Sequence, residues 1–304
     1  MIPKVISVGN ISLGGTGKTP FTIKLTKHFL AQGKKVCVLS RGYKGKIGLD
    51  TNVISDGEKL LIKPPLAADE PYMIAESCKG SVVITGKERS DSAVYAMEHF
   101  KPDLFILDDG FQHKRMHRDL DILLLDYRKP ISTGLPFPFG YLREFPRGIR
   151  RADIIVFTRA DKFEVPSNVV PLVRDKPVFY STIAFKGIRT ADGRLLSNTD
   201  MMGVRALGFA GIAGGGRFFA FLYENGINIV KNRHFSDHQH YDGNTLDKLE
   251  ALADHHNLSM IITTQKDFVK IPEERRHKYA YVEIDIELND EDGFFKAVED
   301  KIRG

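Results

Sequence analysis

The chain has no tryptophan and only two cysteines, Cys37 and Cys78, in 304 residues. Two thiols in this context match no metal-ligand spacing and cannot build a disulfide framework, so a reducing compartment is expected. No stretch approaches the roughly eighteen consecutive apolar residues that a membrane-spanning helix requires, and no signal peptide is visible. Internal repeats and low-complexity tracts are missing, which excludes solenoids and long disordered linkers. Neither sign of charge dominates. Lys and Arg total 44 against 39 Asp and Glu, and the resulting +5 is spread along the chain without a charged tail. That balance suits an anionic substrate or an anionic membrane surface, and gives no reason to expect a nucleic acid or an obligate protein partner. What is present, 42% hydrophobic and 27% charged residues, is the composition of a globular protein with enough chain for two domains.

Apolar runs alternate with amphipathic stretches. Val5 to Val8, Val36 to Leu39, Val82 to Thr85, Leu104 to Leu107, Ile122 to Leu125 and Ile154 to Phe157 read as buried strands, with helices over Phe21 to Gln32 and Ser90 to Phe100. Continuous apolar strands separated by helices predict an α/β fold with a parallel sheet. Lys129 to Gly148, rich in Pro, Gly and aromatics, predicts a structured substrate loop. A second βα series starts at Ala206, with a helix around Thr245 to His255, a strand at Met260 to Thr264, and a last strand and helix from Tyr279 onward. The expected division is therefore a core domain over 1–200 and a smaller α/β domain over 201–304 completing an active-site cleft.

Ser12-Leu13-Gly14-Gly15-Thr16-Gly17-Lys18-Thr19 follows the first strand and opens the first helix. Its glycines permit the tight turn that aims successive N–H groups at an anion, and the helix N-terminus adds a favourable dipole. The arrangement is a P-loop for a nucleoside triphosphate, with Lys18 reaching the β- and γ-phosphates and the Thr19 hydroxyl directed to Mg²⁺. Ser12 takes the place where the usual pattern begins with Gly. A P-loop enzyme also needs a carboxylate at the end of a neighbouring strand to hold the metal. Leu104-Phe105-Ile106-Leu107-Asp108-Asp109 provides two, followed directly by Gly110-Phe111-Gln112-His113. Adjacent carboxylates repel unless a cation or proton relieves them.

Four shorter segments carry weaker signals. Asp69-Glu70-Pro71 is either a helix start favoured by the dipole or part of an acidic site. Ser236-Asp237-His238-Gln239-His240 is either a capping turn or a carboxylate–imidazole element. Thr263-Thr264-Gln265-Lys266-Asp267 ends a strand, where α/β sheets place ligand contacts, although locally it reads best as a solvated charge cluster. Ser40-Arg41-Gly42-Tyr43-Lys44-Gly45 follows the second strand, so Arg41 opens toward the same sheet edge, where it can grip a phosphate.

Taken in order, VGN-ISLGGTGKTP, SRGYKG, DEP, LDDGFQH, LREFP, AGIA…RFF, SDHQ and TTQKD run across nearly the whole chain, and the set resembles the tetraacyldisaccharide 4'-kinase family of lipid A biosynthesis. The resemblance implies a two-domain P-loop kinase that transfers the ATP γ-phosphate to the 4'-hydroxyl of a tetraacylated glucosamine disaccharide 1-phosphate. It places the enzyme in the cytoplasm, peripherally on the cytoplasmic face of an anionic inner membrane. Carried over residue by residue, Asp69 matches the catalytic base and His238 the histidine that partners it. Asp108 and Asp109 match the paired aspartates of catalysis and magnesium binding, and Glu70 belongs to the same acidic motif as Asp69. Arg41, Tyr43, His113 and Arg143 fall in motifs that line the lipid headgroup site. Three departures stand out. Gln265 replaces the usual Glu, and Ala213-Gly214-Gly215-Gly216 replaces a loop that usually carries proline. Met1-Ile2-Pro3 also leads directly into the first strand, where the family commonly has a hydrophobic or amphipathic helix, so either membrane contact comes from basic and aromatic surface such as Pro136 to Tyr141 or the chain is a shortened one. Two other classes keep the phosphate cradle: a kinase for a soluble sugar or nucleotide, and a regulatory P-loop ATPase. The Asp69 and His238 motifs argue against the ATPase.

Overall fold

The computed structural model describes residues 2–43, 45–48 and 50–303. In chain order the elements are β1 (Lys4–Gly9), α1 (Lys18–Ala31), β2 (Val36–Ser40), β3 (Asn52–Asp56), α2 (Asp69–Ser77), β4 (Val82–Thr85), α3 (Arg89–His99), β5 (Leu104–Asp108), β6 (Leu120–Asp126), β7 (Ile154–Thr158), α4 (Val170–Val173) and β8 (Val178–Thr190). They continue as β9 (Leu195–Leu196), β10 (Ala206–Ala210), α5 (Gly215–Glu224), β11 (Ile229–His234), α6 (Gly243–His255), β12 (Met260–Thr264), α7 (Gln265–Phe268), β13 (Tyr279–Leu288) and α8 (Glu291–Arg303). All six strands expected in the first half are present, within two residues at each end.

Two compact units divide this order. The first is Met1–Ile183 with Ile286–Gly304, and the second is Ala184–Asp285. The division at residue 200 expected from the sequence differs from this at both ends. The chain leaves the first unit inside the thirteen-residue strand β8, which carries no turn signal at the crossing. It returns inside β13, because α8 buries Phe294, Phe295 and Val298 within the first unit. Phe294 meets Phe21 of α1 edge-on at 5.5 Å between ring centres, and Lys24 pairs with Glu291 at 2.8 Å.

In the first unit the strands run β8-β7-β6-β1-β5-β2-β4-β3, parallel except for the edge strand β3. The central strands are buried along all or all but one of their residues, as a sheet covered on both faces requires. Helix α1 covers one face with Phe21, Leu25 and Phe29, a stripe at four-residue spacing. Strand β1 lies between β5 and β6, with Val8 opposite Asp108. This register brings the loops leaving β1 and β5 side by side. Close packing fixes the juncture: a Cβ on Gly9 would lie 2.6 Å from Phe111 Cβ, and one on Gly110 would lie 2.6 Å from Leu107 Cβ.

In the second unit the parallel strands run β11-β10-β12-β13. Along β10 the faces alternate. Ala206 and Ala210 join a core with Phe218 and Leu222 of α5, whereas Leu207 and Phe209 join one with Leu246 and Leu249 of α6. The edge strand β11 was not legible in the sequence, because its Lys231-Asn232-Arg233-His234 half is exposed and polar.

Candidate functional site

The P-loop spans the turn from β1 to α1. Gly14 (φ +105°) and Gly17 (φ +81°) adopt a backbone conformation that side chains disfavour, and Gly17 is the residue just before the helix. A Cβ added at Gly14, Gly15 or Gly17 would meet nothing within 4 Å, so the cradle is open above these positions. From beneath, Asn10 Nδ2 donates to the hydroxyl of buried Thr16 at 2.9 Å. The outer side is held by the chain before Arg143: Leu13 N–H donates to the Tyr141 carbonyl at 2.8 Å, and Ser12 bridges to Leu142. Lys18 and Thr19 begin α1 and are half-buried, with the Lys18 ammonium 3.7 Å from Asp109.

The two aspartates at the end of β5 differ sharply. Asp108 is fully buried and accepts one hydrogen bond from the Thr22 hydroxyl at 3.0 Å. Burial, reinforced by the charge of Asp109, pushes its carboxyl up to about 6. Asp109 sits at φ +56°, which swings its side chain out of the strand, where Arg143 Nη1 donates to both carboxylate oxygens at 2.7 Å. Burial on its own would raise the Asp109 carboxyl, but the charges of Lys18 and Arg143 and the hydrogen bonds outweigh it and the group is held below its ordinary range. Lys18 moves down, chiefly through burial and partly through Arg143, against the opposing pull of Asp109. One buried carboxyl whose ionised form is disfavoured beside one held ionised is an arrangement in which two carboxylates take different roles.

Basic groups crowd the same sheet edge. Arg41 is exposed just past β2, and Gly42 (φ +69°) packs so tightly on Thr85 of β4 that a Cβ would lie 2.9 Å from the Thr85 Cβ. Tyr43 is 63% exposed, and Lys44 of the same motif lies outside the described residues. Burial, with the positive charge of Arg89 behind it, lowers the His113 imidazole and disfavours its charged form. Arg89, the first residue of α3, is buried and interacts electrostatically with Asp109, Arg41 and Asp108. Sequence reasoning passed over Arg89. Its signal was Thr85-Gly86-Lys87-Glu88-Arg89, an arginine just after a buried strand, which is the placement that singled out Arg41.

Behind Arg143 lies a second network. Gln112 Nε2 donates to the Asn10 carbonyl at 2.8 Å and to Glu144 at 2.9 Å, and Arg151 grips Glu144 through two nitrogens at 2.7 and 2.8 Å. The Arg151 guanidinium also lies 4.5 Å from the centre of the Phe111 ring. The GFQH and LREFP motifs thus meet behind the P-loop. Asp69 and Glu70 are the first two residues of α2, preceded by Ala68, so their negative charge favours the helix start without side-chain capping.

The second unit brings its own two motifs together. His238 takes φ +63°, its N–H donates to the Gly211 carbonyl at 3.3 Å, and its Nε2 lies 3.3 Å from the Lys266 ammonium. Asp237 is 3.5 Å from Lys266 and 3.7 Å from His238, and the cap of α6 is Asp242, whose carboxylate accepts from Thr245 N–H at 2.8 Å. The segment from Thr263 to Asp267 is not a solvated charge cluster. Asp267 is fully buried and accepts from Gly211 N–H (2.9 Å) and the Tyr241 hydroxyl (3.0 Å), and it pairs with Lys270 at 2.7 Å. Periodicity alone did not reveal this, because a polar strand end looks the same whether another loop covers it or water does. In the glycine loop, Gly214 (φ +84°) precedes α5, and a Cβ on Gly215 would lie 2.9 Å from His234 Nδ1.

The sequence model of a family described as tetraacyldisaccharide-1-P 4'-kinase (LpxK) matches residues 2–303. The chain belongs to this family. Proteins named tetraacyldisaccharide 4'-kinase from Geobacter metallireducens and Geobacter sulfurreducens are each 39% identical to it, over 269 and 272 residues. Both matches cover 88% of this chain, and they span 78% and 74% of those proteins. A solved structure of LpxK from Aquifex aeolicus in complex with ATP superposes with a TM-score of 0.81 at 30% identity, covering 99% of this chain and 89% of that one. The chain is thus a kinase with a P-loop fold, and neither a soluble-sugar kinase nor a regulatory ATPase is favoured. Among the described residues, no helix is long and apolar enough to cross a membrane.

Proposed function

We infer that this chain transfers the γ-phosphoryl group of ATP to the 4'-hydroxyl of a tetraacylated glucosamine disaccharide 1-phosphate, acting peripherally at the cytoplasmic face of an anionic inner membrane. The observation that carries the reading is the open P-loop with Lys18 beside an unequal pair of aspartates, in a chain of this family. The backbone N–H groups from Gly14 to Lys18 bind the phosphates, and Lys18 offsets the charge that develops on the transferred group. Thr19 and Asp109 are hard oxygen donors suited to Mg²⁺, and the raised Asp108 carboxyl beside them fits a position that a divalent cation relieves. When bound, the metal neutralises phosphate charge. Asp108 orients the groups around it, Asp69 accepts the proton of the acceptor hydroxyl, and His238 supports that proton transfer. Arg41, Tyr43, Glu70, His113 and Arg143 orient the phosphorylated headgroup.

The test uses purified protein, labelled ATP and disaccharide 1-phosphate with or without acyl chains. The 4'-phosphorylated product is expected from the acylated acceptor, and its absence overturns the reading. Asp69→Ala is expected to lower kcat by on the order of a hundredfold or more with ATP affinity largely intact, and His238→Ala to lower it less. A large loss of ATP affinity in Asp69→Ala would move that residue to nucleotide binding.

A further inference from the structure

We propose that residues 135–145 form an interfacial anchor whose aromatic side chains enter the headgroup region of an anionic bilayer and hold the P-loop at its surface. Eighteen large hydrophobic side chains are exposed among the described residues, and five of them fall in this segment: Leu135, Phe137, Phe139, Tyr141 and Phe145. Phe137 is 71% exposed and Phe139 84%. Clustered exposed aromatics mark an interaction surface, whereas scattered ones do not.

The segment is ordered by its own hydrogen bonds. Leu142 N–H donates to the Leu135 carbonyl at 3.1 Å, Phe137 N–H to the Leu142 carbonyl at 2.8 Å and Gly140 N–H to the Pro136 carbonyl at 3.0 Å. At Gly140 the fold leaves no room for a side chain, since a Cβ would lie 2.3 Å from the Leu135 carbonyl oxygen. Leu142 is wholly buried in the core beside Ile11 and Phe111. The chain is thus pinned at one apolar residue while its neighbours point outward, so the aromatics are displayed at little further entropic cost.

Charge decides between a membrane and a protein partner. From Arg128 to Arg151 the sequence holds six basic residues and a single acid, Glu144; Arg128, Arg143 and Arg151 are ion-paired with Asp161, Asp109 and Glu144, which leaves the charge of Lys129, Arg147 and Arg150 for a surface contact. Glu144 is engaged by Arg151, and Lys129, Arg147 and Arg150 are exposed on either side of the aromatic tips. Exposed aromatics flanked by the exposed cations Lys129, Arg147 and Arg150 match an anionic lipid surface, where each such basic residue is worth roughly a fivefold gain in binding at low salt. A protein interface would more often carry both signs on its rim. The hydrogen bonds from Leu13 N–H to Tyr141 and from Arg143 N–H to the Ile11 carbonyl (2.7 Å) tie this surface to the phosphate loop, so anchoring one positions the other. The proposal rests on the kinase reading only for its purpose, because bilayer binding needs neither ATP nor acceptor.

The lack of tryptophan makes the test direct. In the full chain, Phe139→Trp introduces a lone indole. Phosphatidylglycerol-containing vesicles at low salt, without nucleotide or acceptor, are expected to shift its emission to the blue and let bromine placed high on the acyl chains quench it. The shift should largely disappear on pure phosphatidylcholine and in high salt. In a separate variant, Phe137→Ser with Phe139→Ser is expected to lower vesicle partitioning at least tenfold with the melting temperature unchanged. An unmoved emission spectrum, or full partitioning of the double variant, overturns the proposal. Emission that moves only when acylated acceptor is added assigns the patch to substrate acyl chains and overturns it equally. Failure of the 4'-phosphorylation assay with the emission shift intact would refute the activity and leave the anchor standing.

Discussion

Asp108 and Asp109 are neighbours in sequence and opposites in environment. The ionised form of Asp108 is disfavoured by burial, so between about pH 4 and 6 the native state holds a proton that the unfolded chain has released. Stability therefore falls as pH rises through that window and stays lower above it. In metal-free buffer, Asp108→Asn is expected to stabilise the protein at pH 7.5 by on the order of 3 kcal/mol, for a shift of about two units, and to flatten the pH dependence between 4 and 6. Thermal melts across pH check this, and a variant less stable than the parent at pH 7.5 would contradict it. The same variant should lose activity, since a site tuned for phosphoryl transfer keeps its buried carboxylate at the expense of stability. Lys18→Ala and Asp109→Ala should each reduce kcat by on the order of a hundredfold or more at saturating ATP. Parental turnover in either would remove the residue from the site. Arg143 faces Asp109 with 2.7 Å contacts to both oxygens, so Arg143→Ala should raise the Asp109 carboxyl toward its ordinary range. The carboxylate ¹³C chemical shift measured against pH reports this.

At the scale of elements, each unit holds its own motifs by local contacts. The turn after β5 packs on the end of β1, and Gly9→Ala would force a Cβ to 2.6 Å from Phe111. Such overpacking typically costs about 1–3 kcal/mol, which urea unfolding would register. In the second unit, Asp267 ties the start of the glycine loop, Tyr241 and Lys270 together and thereby fixes Gly211, to which His238 is hydrogen-bonded. Asp267→Ala removes the carboxylate facing a buried ammonium and is expected to cost on the order of 3 kcal/mol. A change below about 1 kcal/mol in the denaturant midpoint analysis would show that Lys270 finds equivalent solvation elsewhere. The parallel strands and α1 were legible because continuous apolar runs and a four-residue stripe survive any tertiary context. The roles of Arg89, Lys266 and Asp267 were not, because each is a charged residue at an element end, where burial depends on which loop covers it.

For the molecule as a whole, the two cysteines offer a probe. Both lie in the first unit and are buried, with burial pushing the Cys78 thiol up to about 12 and Cys37 higher still. Native protein should therefore resist thiol reagents, and labelling should follow the opening of the first unit, while the second contributes no signal. Labelling of native protein at the rate of a free thiol would mean that the first unit opens locally around Cys37 or Cys78. By itself the sequence determined the P-loop, the acidic strand end, the alternating α/β order and the family, since each rests on local spacing that backbone geometry and phosphate chemistry demand. Only the tertiary structure decided three further matters. It assigned α8 to the first unit, made one aspartate of the pair protonatable and the other locked, and joined the aromatic loop to the P-loop. Each depends on which distant segment supplies a neighbour, and burial, charge pairing and close contact are properties of that neighbour as much as of the residue.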